Sequence, residues 1–198
     1  MQTPTAEVVL ERMVRGVEKV RERLWRATAT LEAAGLPYAV TGDQAVAAWV
    51  ATVDKSAVRN SPEVEILIRR SDLMAAPDVL ESAGFSYKVD SLGPKLLDRP
   101  DVPDRDSVRI LFAGEKTRST DFLPNPDVDG TVRTPPFRSL NLGPLVVMCL
   151  SSFRAVDRLR IRDLIDVDLV DHHWLELPAV YPCELVERLR TVLTNPDG

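Results

Sequence analysis

Apolar residues recur every three or four positions along the first part of the chain: Leu10, Met13, Val14, Val17, Val20, Leu24 and Leu31. Arginine, glutamate and lysine fill the positions between them. The spacing predicts an amphipathic helix from Ala6 to Ala34. Thr5 stands where it can cap the start, and Gly35 and Pro37 stop the helix. Tyr38 to Gly42 (YAVTG) then reads as a short buried strand ending in a glycine turn. The next ten residues, 43–52, read as a second helix with Asp43 as its N-cap, and a loop follows. At Glu63 the pattern changes to period two. Val64, Ile66 and Ile68 share one face of a strand, and Glu63, Glu65 and Leu67 share the other. Ser71 and Asp72 open a helix to about Ala83, disturbed early by Pro77 and ended by Gly84. Further strands are expected at 85–89 and 107–114, the latter with Val108, Ile110 and Phe112 on one face.

From Gly114 to Asn141 prolines interrupt every pattern, and the stretch reads as largely irregular. Helical spacing returns in LGPLVVMCLSSFRAV. DRLRIRDLIDVDLV follows, with Asp157 as a natural N-cap, and PCELVERLRTVL has proline in its first turn. Helices and strands in this order point to an α/β (α+β) fold, a small mixed sheet flanked by helices with a helical C-terminal part over one side. The expected organisation is an N-terminal helix (1–37), an α/β core (38–141) and a C-terminal helical part (142–198).

The whole-chain quantities narrow the classes. With 198 residues, 44% hydrophobic and 28% charged, the chain can bury a core and stay ordered. A net charge of -5 argues against wholesale electrostatic binding of nucleic acid, although a local basic patch stays open. Cys149 and Cys183 form no CxxC and read as reduced, partly buried thiols, which fits a reducing cytoplasm. Met1 to Glu11 has no apolar signal-peptide region. No apolar run approaches the length of a membrane span, so no membrane association is expected.

Two features carry candidate chemistry. Glu63 and Glu65 are i and i+2 on one strand, so their side chains leave the backbone on the same face about 6–7 Å apart. Carboxylates so placed can share a divalent cation, and Mg²⁺ favours one or two carboxylates with phosphate oxygens and water. The second feature is the strand–glycine–helix turn at Gly42, where free N–H groups and the helix dipole can meet phosphates.

The stretch YAVTGDQAVAAWV … VRNSPEVEILI … LESAGF resembles the nucleotidyltransferase superfamily that includes DNA polymerase beta-like enzymes. More narrowly, it is similar to bacterial nucleotidyltransferase-like proteins near the abortive-infection type IV toxins and the aminoglycoside and lincosamide adenylyltransferases. In that pattern Gly42 matches the first glycine, and Arg59 and Ser61 match the lead into the next strand. Glu63 and Glu65 occupy the two metal-binding aspartate positions. Leu145, Met148, Leu150, Arg154, Asp157, Asp163 and Leu164 fit the helical stretch downstream, so the likeness runs from about Tyr38 to Asp171.

The resemblance implies Mg²⁺ at Glu63 and Glu65 as catalytic metal ligands, and a nucleoside triphosphate held at Gly42, Asp43, Arg59 and Ser61. A nucleoside monophosphate would pass to an acceptor such as RNA or protein. The chain departs from the pattern in four places. Asp43 stands at the second Gly/Ser, where a metal or Lys55 would have to offset its charge. Both metal aspartates are glutamates. The later strand offers Arg109 where a third acid is usual, with Asp106 just outside it. Cys149 replaces a common lysine. Two alternatives therefore stand beside transfer: a catalytically inactive binding or regulatory protein of this fold, and the toxin of a toxin–antitoxin or phage-defence pair.

Other polar residues read as structural. Arg154, Arg158 and Arg162 are spaced four apart, but Asp157, Asp163 and Asp166 interleave them, which favours local ion pairing on a solvated face. His172 and His173 are adjacent and lack a third ligand at metal spacing, so they read as surface histidines. Trp25 and Trp49 are expected in the core. No GxxxxGK[ST], GxGxxG, GxSxG or HExxH occurs.

Overall fold

The structure is a computed structural model describing residues 5–91, 93–98, 107–134, 136–176 and 181–195. Among these, the alternating segments pair into one seven-stranded sheet: β1 (Ala39–Thr41), β2 (Val64–Ile68), β3 (Ser86–Asp90), β4 (Gly93–Leu97), β5 (Ser107–Phe112), β6 (Thr131–Thr134) and β7 (Phe137–Leu140). The order is β3-β4-β5-β2-β1-β7-β6. β2 runs parallel to β5 and β1 parallel to β7, while the other neighbours are antiparallel. The sheet is thus mixed, and the fold is α/β.

Six α-helices accompany it: α1 (Ala6–Ala33), α2 (Gly42–Val50), α3 (Ala76–Ser82), α4 (Leu142–Ser152), α5 (Ala155–Ile165) and α6 (Cys183–Thr194). α1 packs against α3 and the sheet, while α2, α4 and α5 pack on one another. β1 is buried along its whole length, and in β2 Leu67 is buried as well as Val64, Ile66 and Ile68. The centre of the sheet is therefore covered on both faces, as its parallel strand pairs require. One continuous apolar cluster runs from Val20 through the sheet to Val192.

Several expectations are corrected. β4 lies where no element was expected, and β6 and β7 lie in the stretch read as largely irregular. Their sequences, GPKLL, TVRT and FRSL, are short and contain or adjoin glycine or proline, and they are strands because neighbours complete their ladders. Ser71 and Asp72 belong to a 3-10 turn, Arg70–Met74, that precedes α3, so Pro77 falls in the first turn of α3, where it is tolerated. Trp25 is 57% exposed. The buried stripe of α1 is Val20, Leu24, Ala27 and Leu31, and Trp25 sits a hundred degrees around the helix from Leu24. The stripe also loses its cover toward the N-terminus, where Leu10, Met13 and Val14 are exposed. Trp49 is half-buried, and its indole N–H donates to the Leu140 carbonyl at 3.0 Å.

Candidate functional site

The site begins where β1 turns into α2. Gly42 makes the turn with φ +61°, in the left-handed region that suits glycine. It also allows a close approach: a Cβ at this position would overlap Glu65 Oε2 and lie 3.0 Å from Arg160 Nη2. Thr41 is the residue that precedes α2. Asp43 is therefore not the N-cap but the second helical residue, and its carboxylate turns inward. Its Oδ1 accepts from Arg160 Nε at 3.0 Å and Arg59 Nη2 at 2.9 Å, and its Oδ2 accepts from Ser61 Oγ at 2.5 Å. The Asp43 side chain is only 4% exposed. Burial pushes its carboxyl up, but Arg160, Ser61 and Arg59 together outweigh burial and hold it below the usual carboxylate value. Lys55 is exposed on a 3-10 turn, and the charge of Asp43 is met by the two arginines instead.

Gln44, next on α2, donates to the carbonyls of Ser61 and Glu63, both at 3.0 Å, and ties the approach of β2 to the helix. β2 then carries Glu65 inward between two neighbours in register, Thr41 on β1 and Arg109 on β5. Glu65 Oε2 accepts from Arg160 Nη2 at 2.9 Å, and Glu63 Oε2 lies 3.6 Å from the same nitrogen. Burial raises the Glu65 carboxyl more than Arg160 lowers it, and the nearby Glu63 charge adds to the rise.

The arginine at the centre comes from α5. Ile161 and Leu164 of that helix are buried, which draws Arg160 inward with them. The helix starts three residues earlier than expected: Arg154 is the N-cap, and Asp157 at the third position accepts from the Arg154 backbone N–H at 3.2 Å. Asp157 is thereby positioned to accept from Arg160 Nη1 at 2.9 Å and from Arg154 Nε at 2.8 Å, and Ser152 Oγ also donates to it. Burial alone would lower the Arg160 pKa, yet Glu65, Cys149 and Asp43 raise it well above the ordinary arginine value. Arg59 completes the cluster by donating from Nε to Asp163 Oδ2 at 2.8 Å.

A cavity of about 320 Å³ opens on this cluster, near the lower end of the ~300–1,000 Å³ typical of small-molecule sites. Its floor is the face of β2 and β5 that carries Glu63, Glu65, Ser107, Arg109 and Leu111. Met148, Cys149, Ser151 and Ser152 of α4 line it as well. The remaining wall is the segment 117–125. It is fastened to α4 by Leu123 N donating to Ser151 Oγ at 2.7 Å, and held to β5 by Asn125 Nδ2 donating to the Phe112 carbonyl at 3.0 Å. Arg118 in this segment lines the cavity, is exposed, and its guanidinium has no partner among the described residues. Among the described residues Arg109 makes long contacts, 3.3 and 3.4 Å, with Asp90.

Cys149 lines the same cavity but is buried, and burial pushes its thiol up to about 12. Cys183, expected to be partly buried, is exposed at the start of α6. One thiol per native chain should therefore react with a disulfide reagent at neutral pH, and the second only after denaturation. Mass mapping of the modified peptide checks this: rapid labelling of Cys149 in the native protein would contradict it.

All six residues singled out from the sequence meet here: Gly42, Asp43, Arg59, Ser61, Glu63 and Glu65 lie on or beside one ion cluster. Asp106 lies outside the described residues. What the sequence pattern did not single out is Arg160. Its signals were present: an i, i+3 partner in Asp157 and two apolar neighbours on the buried side of α5. Of the three arginines spaced four apart, Arg154 pairs with Asp157 at the start of α5, while Arg158 and Arg162 reach the carbonyls of Phe153 and Asn195. His172 and His173 are exposed on a 3-10 turn.

As arranged, these residues do not fit Mg²⁺. A cation between Glu63 and Glu65 would share their oxygens with a guanidinium already bonded to one and 3.6 Å from the other. Mg²⁺ demands near-ideal octahedral ligation, and Arg109 stands beside Glu65 where another acid would have to be. Among the described residues no group of three or more His, Cys, Asp and Glu has metal-binding geometry, and no helix is long and apolar enough to cross a membrane.

No protein-family model matches the chain, and no curated protein does. Among solved structures, the solution structure of the antibiotic-resistance factor ANT(2'')-Ia is similar at a TM-score of 0.43 and 12% identity, over 94% of this chain and 85% of that one. A crystal structure of ANT(2'')-Ia in complex with adenylyl-2''-tobramycin is similar at 0.43 and 11%, over 86% of each chain.

Proposed function

We propose that this chain is a nucleotidyltransferase-like protein that binds a nucleotide in the cleft without metal-dependent transfer. The observation that supports this reading most directly is Arg160. Its buried guanidinium, rather than a divalent cation, neutralises Glu65 and approaches Glu63. The motif that carries the sequence resemblance surrounds a cavity of suitable size, and that cavity keeps cations of its own in Arg109, Arg118 and Arg154. Phosphate oxygens suit the planar donor fork of arginine, which binds them in pairs. Arg118 is available for that role because its guanidinium is uncommitted among the described residues. Transfer by the usual route needs the cation that Arg160 displaces, so Glu63 and Glu65 act here as partners of Arg160.

Isothermal titration of the four nucleoside triphosphates, with and without Mg²⁺ or Mn²⁺, tests this. At least one should bind without metal, with little change when metal is added, and Arg118→Glu should weaken it about tenfold, equivalent to about 1.4 kcal/mol. Binding that requires metal and is lost in Glu63→Gln, Glu65→Gln would favour transfer instead. No binding of any triphosphate would sink the nucleotide reading.

A further inference from the structure

The face of α1 that enters the core does not end where the core ends. Leu10, Met13, Val17, Val20, Leu24, Ala27 and Leu31 are spaced alternately three and four apart, the repeat of a coiled-coil seam. The last four are at most 9% exposed, because α3 and the sheet cover them. Leu10 and Met13, on the same stripe, are 62% and 64% exposed. Around them the apolar strip widens, since Val9 and Val14 flank it and are exposed as well. Single exposed apolar residues are ordinary, whereas a contiguous patch marks a surface made to be covered. Gly16 borders the strip, and nothing lies within 4 Å of a Cβ built there. No contact inside the chain requires that glycine, but it permits close approach by a second helix.

We propose that this strip is the interface for a second copy of the chain, the two α1 helices pairing antiparallel about a twofold axis near Gly16. Charge selects the occupant. Glu7, Glu11 and Glu18 are interspersed with Arg12, Arg15, Lys19 and Arg21. An anionic membrane surface calls for a basic polar face, and this one carries both signs. Antiparallel pairing makes the same helix complementary to itself. Along the seam Met13 meets Val17 of the second copy and Leu10 meets the edge of its Val20. Beside the seam Val14 faces Val14, Gly16 faces Gly16, and Glu7 faces Arg21. Glu7 and Arg21 are exposed and have no partner within the chain among the described residues. Sterics select the direction. From Val20 onward the stripe packs on the body of the protein, so two parallel copies would have to place both bodies in the space between their helices. Antiparallel copies place them at opposite ends. The seam from Leu10 to Val20 is about 16 Å long at the helical rise. So short a seam makes a reversible dimer, with a Kd of roughly 1–100 μM, rather than a permanent one.

Sedimentation equilibrium of the full chain, from about 1 to 200 μM, tests the pairing. The parent should show a reversible monomer–dimer equilibrium and nothing larger. Leu10→Glu, Met13→Glu should weaken the dimer at least about tenfold. Both side chains are exposed within the chain, so at low concentration that variant should keep the circular dichroism and Tm of the parent monomer. The charges test the direction. Glu7→Arg and Arg21→Glu should each weaken the dimer, and the two together should recover it, because each reversed residue then faces the other across the axis. A chain that stays monomeric throughout would overturn the proposal. So would a dimer as tight in Leu10→Glu, Met13→Glu as in the parent, an open series of larger assemblies, or a double reversal that recovers nothing. Vesicles of mixed phosphatidylcholine and phosphatidylserine are the remaining arm. A monomeric parent that binds them, and loses them in Leu10→Glu, Met13→Glu, would assign the strip to lipid and overturn the pairing.

Discussion

Asp43→Ala is expected to lower the free energy of unfolding by about 3–5 kcal/mol, the range for breaking a buried ion pair by removing one partner. The side chain is 4% exposed and accepts from two guanidinium groups and a hydroxyl. Its loss leaves Arg160 and Arg59 each short of a carboxylate where water does not replace it. Truncating an aspartate on the surface would cost under about 1 kcal/mol, so burial decides the magnitude. Its pH dependence has a definite sign. Asp43 is held below the ordinary carboxylate value when folded, so its contribution is present above the unfolded value. That contribution is lost only as pH falls through the lower folded value. The difference between parent and variant should therefore be flat from about pH 5 to 8 and shrink below about pH 4. Urea unfolding checks it: the midpoint should fall with the slope unchanged. A loss under about 1 kcal/mol would mean that the cluster is solvated and that Asp43 is not its hub.

Gly42→Ala should cost about 2–4 kcal/mol, from two separable causes. An alanine at φ +61° is strained by about 1–2 kcal/mol relative to glycine. Its Cβ would also overlap Glu65 Oε2, an atom held in place by Arg160. Glu65 has to move, which pulls a buried carboxylate off its partner and accounts for the remainder. Gly35→Ala is the control. Gly35 has φ +68°, but nothing lies within 4 Å of a Cβ built there. That variant should carry the backbone strain alone, about 1–2 kcal/mol. Equal losses at the two positions would show that Glu65 relaxes freely, and that the tight packing at Gly42 contributes nothing to stability.

Much of the frame was legible in the chain. Period two from Val64 to Ile68 and helical spacing in α1, α4, α5 and α6 are local patterns, and each became the element it predicted. The three missed strands share a reason. β4, β6 and β7 have no alternation of their own, and backbone pairing to neighbours makes them strands. Trp25 shows the converse error, in which an aromatic on a helix reads as core although the buried stripe lies a quarter turn away.

The site divides along the same line. Gly42, Asp43, Arg59, Ser61, Glu63 and Glu65 fall within 24 residues and form a recognisable local pattern, so sequence alone determined that they belong together. It also determined residue type: glutamates at the paired positions and an acid after the glycine. The identity of the cation that neutralises them was decided only by tertiary structure. Arg160 lies 117 positions from Asp43 and 95 from Glu65, on a helix whose apolar side had to be buried before its guanidinium could reach them. Local spacing specifies what a segment can offer. Which charge meets which across the core depends on packing, because only burial excludes the water that would otherwise satisfy them both.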